Sequence, residues 1–362
     1  MRSRHPLAGA SLTTLARVLA ASGAVRRRDA AWVSSYLLSA AARLPFTAAD
    51  RMSLALTGPR EPPADAIFIV GHWRSGTTHL YNLLAQAPRF QVVSPIATGL
   101  PGEILTLGRL LRPLLERVLP QDRWIDNVPV GPSAPQEDEF AIASLSDVSF
   151  YHALFFPAAF DRHFLPSLFP EGARQARAER AIALFLRKLQ AMAPERRVLI
   201  KNPAHTARLP RLRALCPAAR FVHCVRDPLE VFVSSRRFYE RLHAVLALQD
   251  APLPDVATLA LDTYQRLMTR YAEDVAALAA PKPVEVRFER LCCEPLIVLE
   301  ELYAALELDD FAADRPRFVR YLESVADYEQ NRYRFDAATV ALASDRLGPF
   351  FERFGYALPP AA

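Results

Sequence analysis

The sequence predicts an α/β protein, a central parallel sheet flanked by helices and preceded by a helical extension. Three observations carry that prediction. Short apolar runs of strand length recur at Ile67–Val70, Val198–Ile200, Phe221–Val225 and Val284–Phe288. The segments between them carry helical spacing, and strands that alternate with helices imply a parallel sheet with right-handed crossovers. At 362 residues, 51% hydrophobic and 23% charged, the chain is long enough for one large α/β domain with additions.

Residues 1–58 are rich in Ala, Leu and Arg and are punctuated by Pro45 and Gly58-Pro59, which predicts two or three helices. They are set apart as an N-terminal helical extension, with the α/β domain spanning 59–362. Within the extension a mildly apolar run from Leu12 to Val25 is interrupted by Arg17 and followed by Arg26-Arg27-Arg28, so it is too short and too charged to span a bilayer. An amphipathic helix packed on the main domain is expected, and the basic flank admits peripheral membrane contact through these N-terminal helices.

Ile67-Phe68-Ile69-Val70 reads as a buried strand, and the loop Gly71-His72-Trp73-Arg74-Ser75-Gly76-Thr77-Thr78 leads into a helix whose Leu80, Leu83, Leu84 and Ala87 share one face. A strand, a glycine-bounded loop and a helix start aim backbone N–H groups and a helix dipole at one point, which suits a phosphate. The spacing follows the phosphate-loop pattern G-x-x-x-x-G-K-[ST] at Gly71, Gly76 and Thr78, but Thr77 stands where the lysine belongs. A nucleotide hydrolase or kinase needs that lysine on the β/γ-phosphates. Here the cation is Arg74, so an anionic ligand with a different tail is favoured over ATP, and a P-loop-type kinase is the alternative.

Pro88 to Val93 predicts a turn into a short strand, and Ile104 to Leu119 a helix interrupted near Pro113. Gln121 to Pro135 contains three prolines and Gly131, and a loop of this length within a compact domain is a candidate lid. It runs into Glu137-Asp138-Glu139, acids that open a helix and are favoured there by its dipole. Seven aromatics between Phe150 and Phe169 are expected mostly in the core, with a minority available to wall an apolar pocket. After the helix Glu171 to Met192, the second long strand ends in Lys201-Asn202-Pro203-Ala204-His205, which puts Lys201 at the carboxyl edge where ligands of such sheets bind. Thr206 to Leu215 is helical, the next strand ends in Arg226-Asp227-Pro228, and the helix beyond contains Ser234. Leu242 to Ala280 reads as helical, and the last strand precedes a helix in which Leu299, Leu302, Tyr303 and Leu306 share a face.

A net charge of +5 and a pI near 9.1 suit an anionic ligand, while the basic residues are too dispersed for a nucleic-acid surface. Cys216, Cys224, Cys292 and Cys293 form no CxxC pair and no His/Cys metal spacing, so neither a disulfide framework nor a zinc site is expected, and the default setting is reducing and cytoplasmic.

Together these residues resemble the sulfotransferases that use 3′-phosphoadenosine-5′-phosphosulfate (PAPS), particularly bacterial sulfotransferase-domain proteins, over roughly Ile67 to Tyr356. Ile69 to Thr78 is similar to that family's 5′-phosphosulfate loop, Ile200 to His205 to its lysine-proline segment, and Phe221 to Ser234 to its 3′-phosphate motif. Val286 to Leu291 is a weaker fourth piece. The resemblance implies a P-loop NTPase-like three-layer fold and sulfuryl transfer from PAPS, as co-substrate and without a metal, to a hydroxyl or amine on a small-molecule or lipid-like acceptor. It assigns Arg74, Ser75, Gly76, Thr77 and Thr78 to the 5′ end of the nucleotide and Arg226 and Ser234 to the 3′-phosphate. Arg74, Thr77 and Lys201 meet the charge on the departing phosphate. For the general base Glu137 and Asp138 come first, His205 second, and His72 and His79 third. Arg332 and Arg334 are further candidates for phosphate contact. The other alternative is a nucleotide-binding or membrane-surface adaptor without catalysis.

Overall fold

The computed structural model describes residues 5–118, 134–326 and 335–357. The candidate lid and Arg332 and Arg334 therefore fall, the lid almost wholly, outside the described residues. Three helices open the chain, α1 (Leu12–Ser22), α2 (Arg27–Ala42) and α3 (Leu44–Thr57). Then follow β1 (Ile67–Val70), α4 (Thr77–Leu84), β2 (Phe90–Gln91), α5 (Pro95–Gly99), α6 (Leu107–Val118), α7 (Glu139–Leu145), α8 (Tyr151–Phe155), α9 (Phe160–Leu168) and α10 (Gly172–Met192). The second half continues with β3 (Arg197–Lys201), α11 (Leu209–Leu215), β4 (Arg220–Val225), α12 (Pro228–Leu246), α13 (Val256–Ala277) and β5 (Val284–Arg287), and ends with α14 (Phe288–Cys293), α15 (Pro295–Ala305), α16 (Phe311–Ser324) and α17 (Ala337–Arg353).

The five strands form one parallel sheet in the order β2-β3-β1-β4-β5. Because side chains alternate along a strand, β1 feeds two cores at once. Phe68 and Val70 join Val198, Ile200 and Phe221 beneath α10 and α11. Ile67 and Ile69 join Leu199, Val222 and Val286 against α4, α15 and α16. All four β1 residues are fully buried, as expected of a central parallel strand covered on both faces. A third cluster lies beside the sheet, where Phe150, Tyr151, Phe155, Phe156, Phe160 and Phe164 pack with α12 and α13 and with Leu7, Leu15, Val18 and Tyr36 of the N-terminal segment. Most of the aromatic segment is thus core.

Two element boundaries differ from the sequence reading. The helical stretch from Leu242 to Ala280 is two helices, because Pro252 and Pro254 break it and Asp255 caps the start of α13 through Thr258 N–H. Conversely, α6 runs through Pro113 as one helix. The apolar run after Leu12 is packed inward, with Leu15 and Val18 each 1% exposed. Among the described residues no helix is long and apolar enough to cross a membrane.

Candidate active site

The register fixes which loops meet. Ile69 of β1 pairs with Lys201 of β3, and Val70 pairs with His223 of β4, so the loops after β1, β3 and β4 emerge side by side at the carboxyl edge. Asn202 N–H donates to the Ile69 carbonyl at 3.2 Å. Thr206 then clamps the start of the β1 loop, its hydroxyl accepting from Gly71 N–H at 2.8 Å and donating to the Gly71 carbonyl at 3.1 Å.

The loop itself turns through three left-handed residues, Gly71 (φ 137°), Arg74 (φ 72°) and Gly76 (φ 94°). Glycine is required at both ends. A Cβ on Gly71 would lie 2.6 Å from the Cys224 carbonyl oxygen, and one on Gly76 would lie 2.1 Å from the Phe288 ring. Gly76 is also the N-cap of α4, whose first turn carries buried Thr77 and half-buried Thr78. Ser75 is 2% exposed and its hydroxyl has no partner among the described residues, a buried polar group that a bound anion would satisfy.

Arg74 links this loop to the β4 side. Its Nε donates to Ser234 Oγ on α12 at 2.8 Å, and its carbonyl accepts from Arg226 Nη1 at 3.3 Å. Arg226 also pairs with Glu230 one turn into α12 and lies 4.5 Å above the Phe288 ring. Phe288 therefore touches both the glycine that ends the loop and the arginine that follows β4. Next to it, Glu289 accepts from Asp227 N–H at 3.2 Å and from the Tyr356 hydroxyl at 2.7 Å, so the weak fourth sequence piece braces the turn after β4.

Opposite the loop, the three acids before and at the start of α7 engage the segment after β3 one by one. Glu137 Oε1 lies 2.5 Å from Lys201 Nζ, and its other oxygen lies 3.5 Å from the Tyr151 hydroxyl. Asp138 Oδ2 is 2.9 Å from His205 Nε2, with both groups at most 1% exposed. Glu139, fully buried, accepts from Asn202 Nδ2 (2.8 Å), Ser149 Oγ (2.8 Å) and Arg208 Nη1 (3.4 Å). Of the three, Glu137 keeps the most access, with 14% of its side chain exposed.

The residues expected at the nucleotide site lie on the adjoining loops or the helices they open, Arg74 to Gly76 and Arg226 on the loops, Thr77 and Thr78 on α4 and Ser234 on α12, and of the proposed catalytic side chains Glu137, Asp138, Lys201 and His205 form two pairs. The third-ranked candidates for the base, His72 and His79, lie in the β1 loop and in α4. His72 bonds the Trp73 carbonyl through Nδ1, and burial lowers its pKa to about 4. Burial likewise lowers that of His79, which packs near Phe288. Three participants were not singled out from the sequence. Glu230 was legible from its i,i+4 spacing to Arg226. The roles of Phe288 and Glu139 depend on tertiary pairing that no local spacing announces. Among the described residues no group of His, Cys, Asp and Glu is arranged to hold a metal ion.

A parallel three-layer fold that places a strand–loop–helix anion cradle beside cations from two neighbouring strand ends belongs to the P-loop-like class of α/β proteins. Residues 66–313 match the Sulfotransferase family, and the chain belongs to it. It is 31% identical over 303 residues to omega-hydroxy-beta-dihydromenaquinone-9 sulfotransferase Stf3 of Mycobacterium bovis, covering 82% of this chain and 76% of that one, and the Mycobacterium tuberculosis protein of the same name matches to the same extent. Among solved structures, sulfotransferase STF9 from Mycobacterium avium superposes with a TM-score of 0.67 at 20% identity, over 88% of this chain and 83% of that chain. Sulfotransferase STF1 from Mycobacterium tuberculosis gives 0.62 at 16% identity, over 93% and 90%. These likenesses show a shared fold. The protein is a sulfotransferase, an enzyme that moves a sulfuryl group to an acceptor.

Proposed function

We propose that the donor is PAPS, that the acceptor is an apolar alcohol, and that Glu137 is the base. The observation that carries the donor assignment is the 2.8 Å bond from Arg74 to Ser234. It joins the cradle for one anion to the helix that follows Arg226, so two anion sites of one nucleotide share a wall. The residues fit such a ligand, since Ser75 Oγ is buried without a partner among the described residues, at the turn that leads into α4. Arg74, Ser75, Gly76, Thr77 and Thr78 hold the 5′-phosphosulfate, and Arg226 and Ser234 hold the 3′-phosphate.

Lys201 explains why Thr77 can replace the usual lysine. The cation comes from the end of the neighbouring strand rather than from the loop. In the reaction the acceptor oxygen attacks sulfur, the bond from sulfur to the phosphate oxygen breaks, and adenosine 3′,5′-bisphosphate departs. Lys201 and Arg74 stabilise the negative charge that grows on the departing oxygen. The acceptor proton passes to Glu137, the most accessible of the three acids and the partner of Lys201. Asp138 and His205 are buried against each other and act as positioning residues for the segment that carries Lys201.

For the acceptor, the relative's name gives omega-hydroxy-beta-dihydromenaquinone-9, an apolar alcohol, as what that protein acts on, and here Tyr151 brings an aromatic side chain to Glu137, its hydroxyl 3.5 Å away. Four free thiols support a reducing, cytoplasmic setting. Calorimetric titration tests the donor. Adenosine 3′,5′-bisphosphate is expected to bind and ATP with Mg²⁺ is not; the reverse pattern would overturn the assignment in favour of a phosphoryl donor.

A further inference from the structure

The large apolar side chains left exposed are unevenly placed. Of nine among the described residues, seven fall between Trp32 and Leu56 or at Leu110 on α6, with Leu38 72%, Met52 61% and Leu56 77% exposed. Helical spacing places the three most exposed of those on α2 and α3, Leu38, Met52 and Leu56, on two outward stripes. On α2 the outward positions Ala31, Ser34, Leu38 and Ala41 follow one stripe, and on α3 Pro45, Ala48, Met52 and Leu56 follow another. The two helices meet at Arg43, and Thr106, just before α6, donates to the Phe46 carbonyl at 3.3 Å.

The charges on these helices are sorted by sign. From residue 27 to 57 the exposed ones are Arg27, Arg28 and Arg51, with Arg28 also 3.3 Å from the exposed Asp250, while both acids of this stretch are buried. Asp29 is taken by Arg26 at 2.7 Å, and Asp50 by Lys188 at 2.6 Å and by Leu105 N–H at 2.7 Å. Two helices that carry protruding apolar side chains and exposed arginines and bury both of their own acids are complementary to an anionic bilayer surface.

The face is also held rigidly to the site. Arg43 donates to the carbonyls of Ala8, Gly9 and Ala10 and to Glu103. That turn in turn bonds α7, through Ser144 Oγ to the Pro6 carbonyl at 3.3 Å and Ser11 N–H to the Ser144 carbonyl at 2.9 Å. The helix so anchored begins two residues after Glu137.

We propose that α2 and α3 form a docking face for an anionic lipid bilayer, which fixes the orientation of the active site relative to the membrane surface. The segment 27–57 is then a lipid-facing layer, while α1 packs inward on the core. The proposal goes beyond the assignment of donor and base, and its test reads binding rather than turnover.

The full chain is sedimented with vesicles of phosphatidylcholine alone and of equal parts phosphatidylcholine and phosphatidylglycerol. It is expected to partition into the anionic vesicles about tenfold or more above the neutral ones. Arg28→Glu with Arg51→Glu removes that difference, and Leu38→Ser with Leu56→Ser lowers partitioning about tenfold. All four positions are exposed, so melting curves of the variants match the parent. Wild-type protein left in the supernatant with both vesicle types overturns the proposal. So does a dimer in gel filtration that Leu56→Ser returns to monomer, since the face is then a contact between copies of the chain.

Discussion

The site is built from two halves of opposite construction. The anion cradle, Gly71 to Thr78, is one continuous stretch whose geometry comes from its own backbone, a strand end, three left-handed residues and a helix start. The acidic half is assembled from two segments more than sixty residues apart, with Glu137, Asp138 and Glu139 meeting Lys201, His205, and Asn202 with Arg208 in turn. The first half depends on local conformation and the second on tertiary pairing. Damage to them is therefore expected to appear in different measurements.

The largest effect on the fold is expected from the acidic half. Glu139→Ala strands Asn202, Arg208 and Ser149 in a fully buried place, and losing one partner of a buried charged network costs about 3–5 kcal/mol. Denaturant unfolding should show that loss. A variant within about 0.5 kcal/mol of wild type would mean that the three pairings do not act as a structural unit.

In the cradle the corresponding change should leave stability nearly untouched and appear in binding. Arg74→Ala removes a half-buried guanidinium from the anion site, and charge-assisted hydrogen bonds worth about 1.5–3 kcal/mol raise the Kd for adenosine 3′,5′-bisphosphate about 10- to 100-fold. The smallest effect has the opposite sign. Glu230→Gln frees Arg226 from a competing carboxylate that is 36% exposed, and a partly exposed ion pair of this kind alters affinity only about threefold, here towards tighter binding. Calorimetry on both variants separates the cation from its competitor.

The same division explains what was legible in the sequence. The strands were readable because alternating or continuous apolar runs are local, and the cradle because Gly71, Gly76 and Thr78 keep a fixed spacing whose backbone consequences are local too. Lys201 and Arg226 were readable as strand-end cations once the sheet was taken as parallel. The bond between Arg74 and Ser234 joins residues 160 apart, and the pairings of the three acids with the segment after β3 each span more than sixty residues, so neither leaves a periodic trace. The split of the Leu242 to Ala280 stretch was legible in Pro252 and Pro254, whose weight the surrounding helical spacing masked. His205 ranked second as a base from the sequence. It is fully buried, with Nε2 turned to Asp138 and Nδ1 facing Arg208 at 3.4 Å, contacts that the sequence does not announce.

The central claim is that Glu137 takes the acceptor proton beside a donor held by the cradle. Its most direct test is the turnover of Glu137→Gln with PAPS and a lipid alcohol, with adenosine 3′,5′-bisphosphate binding followed on the same sample. The account predicts a rate about 10²- to 10⁴-fold below wild type, the range for loss of a general base, with binding of the bisphosphate intact. Transfer at the wild-type rate would contradict it.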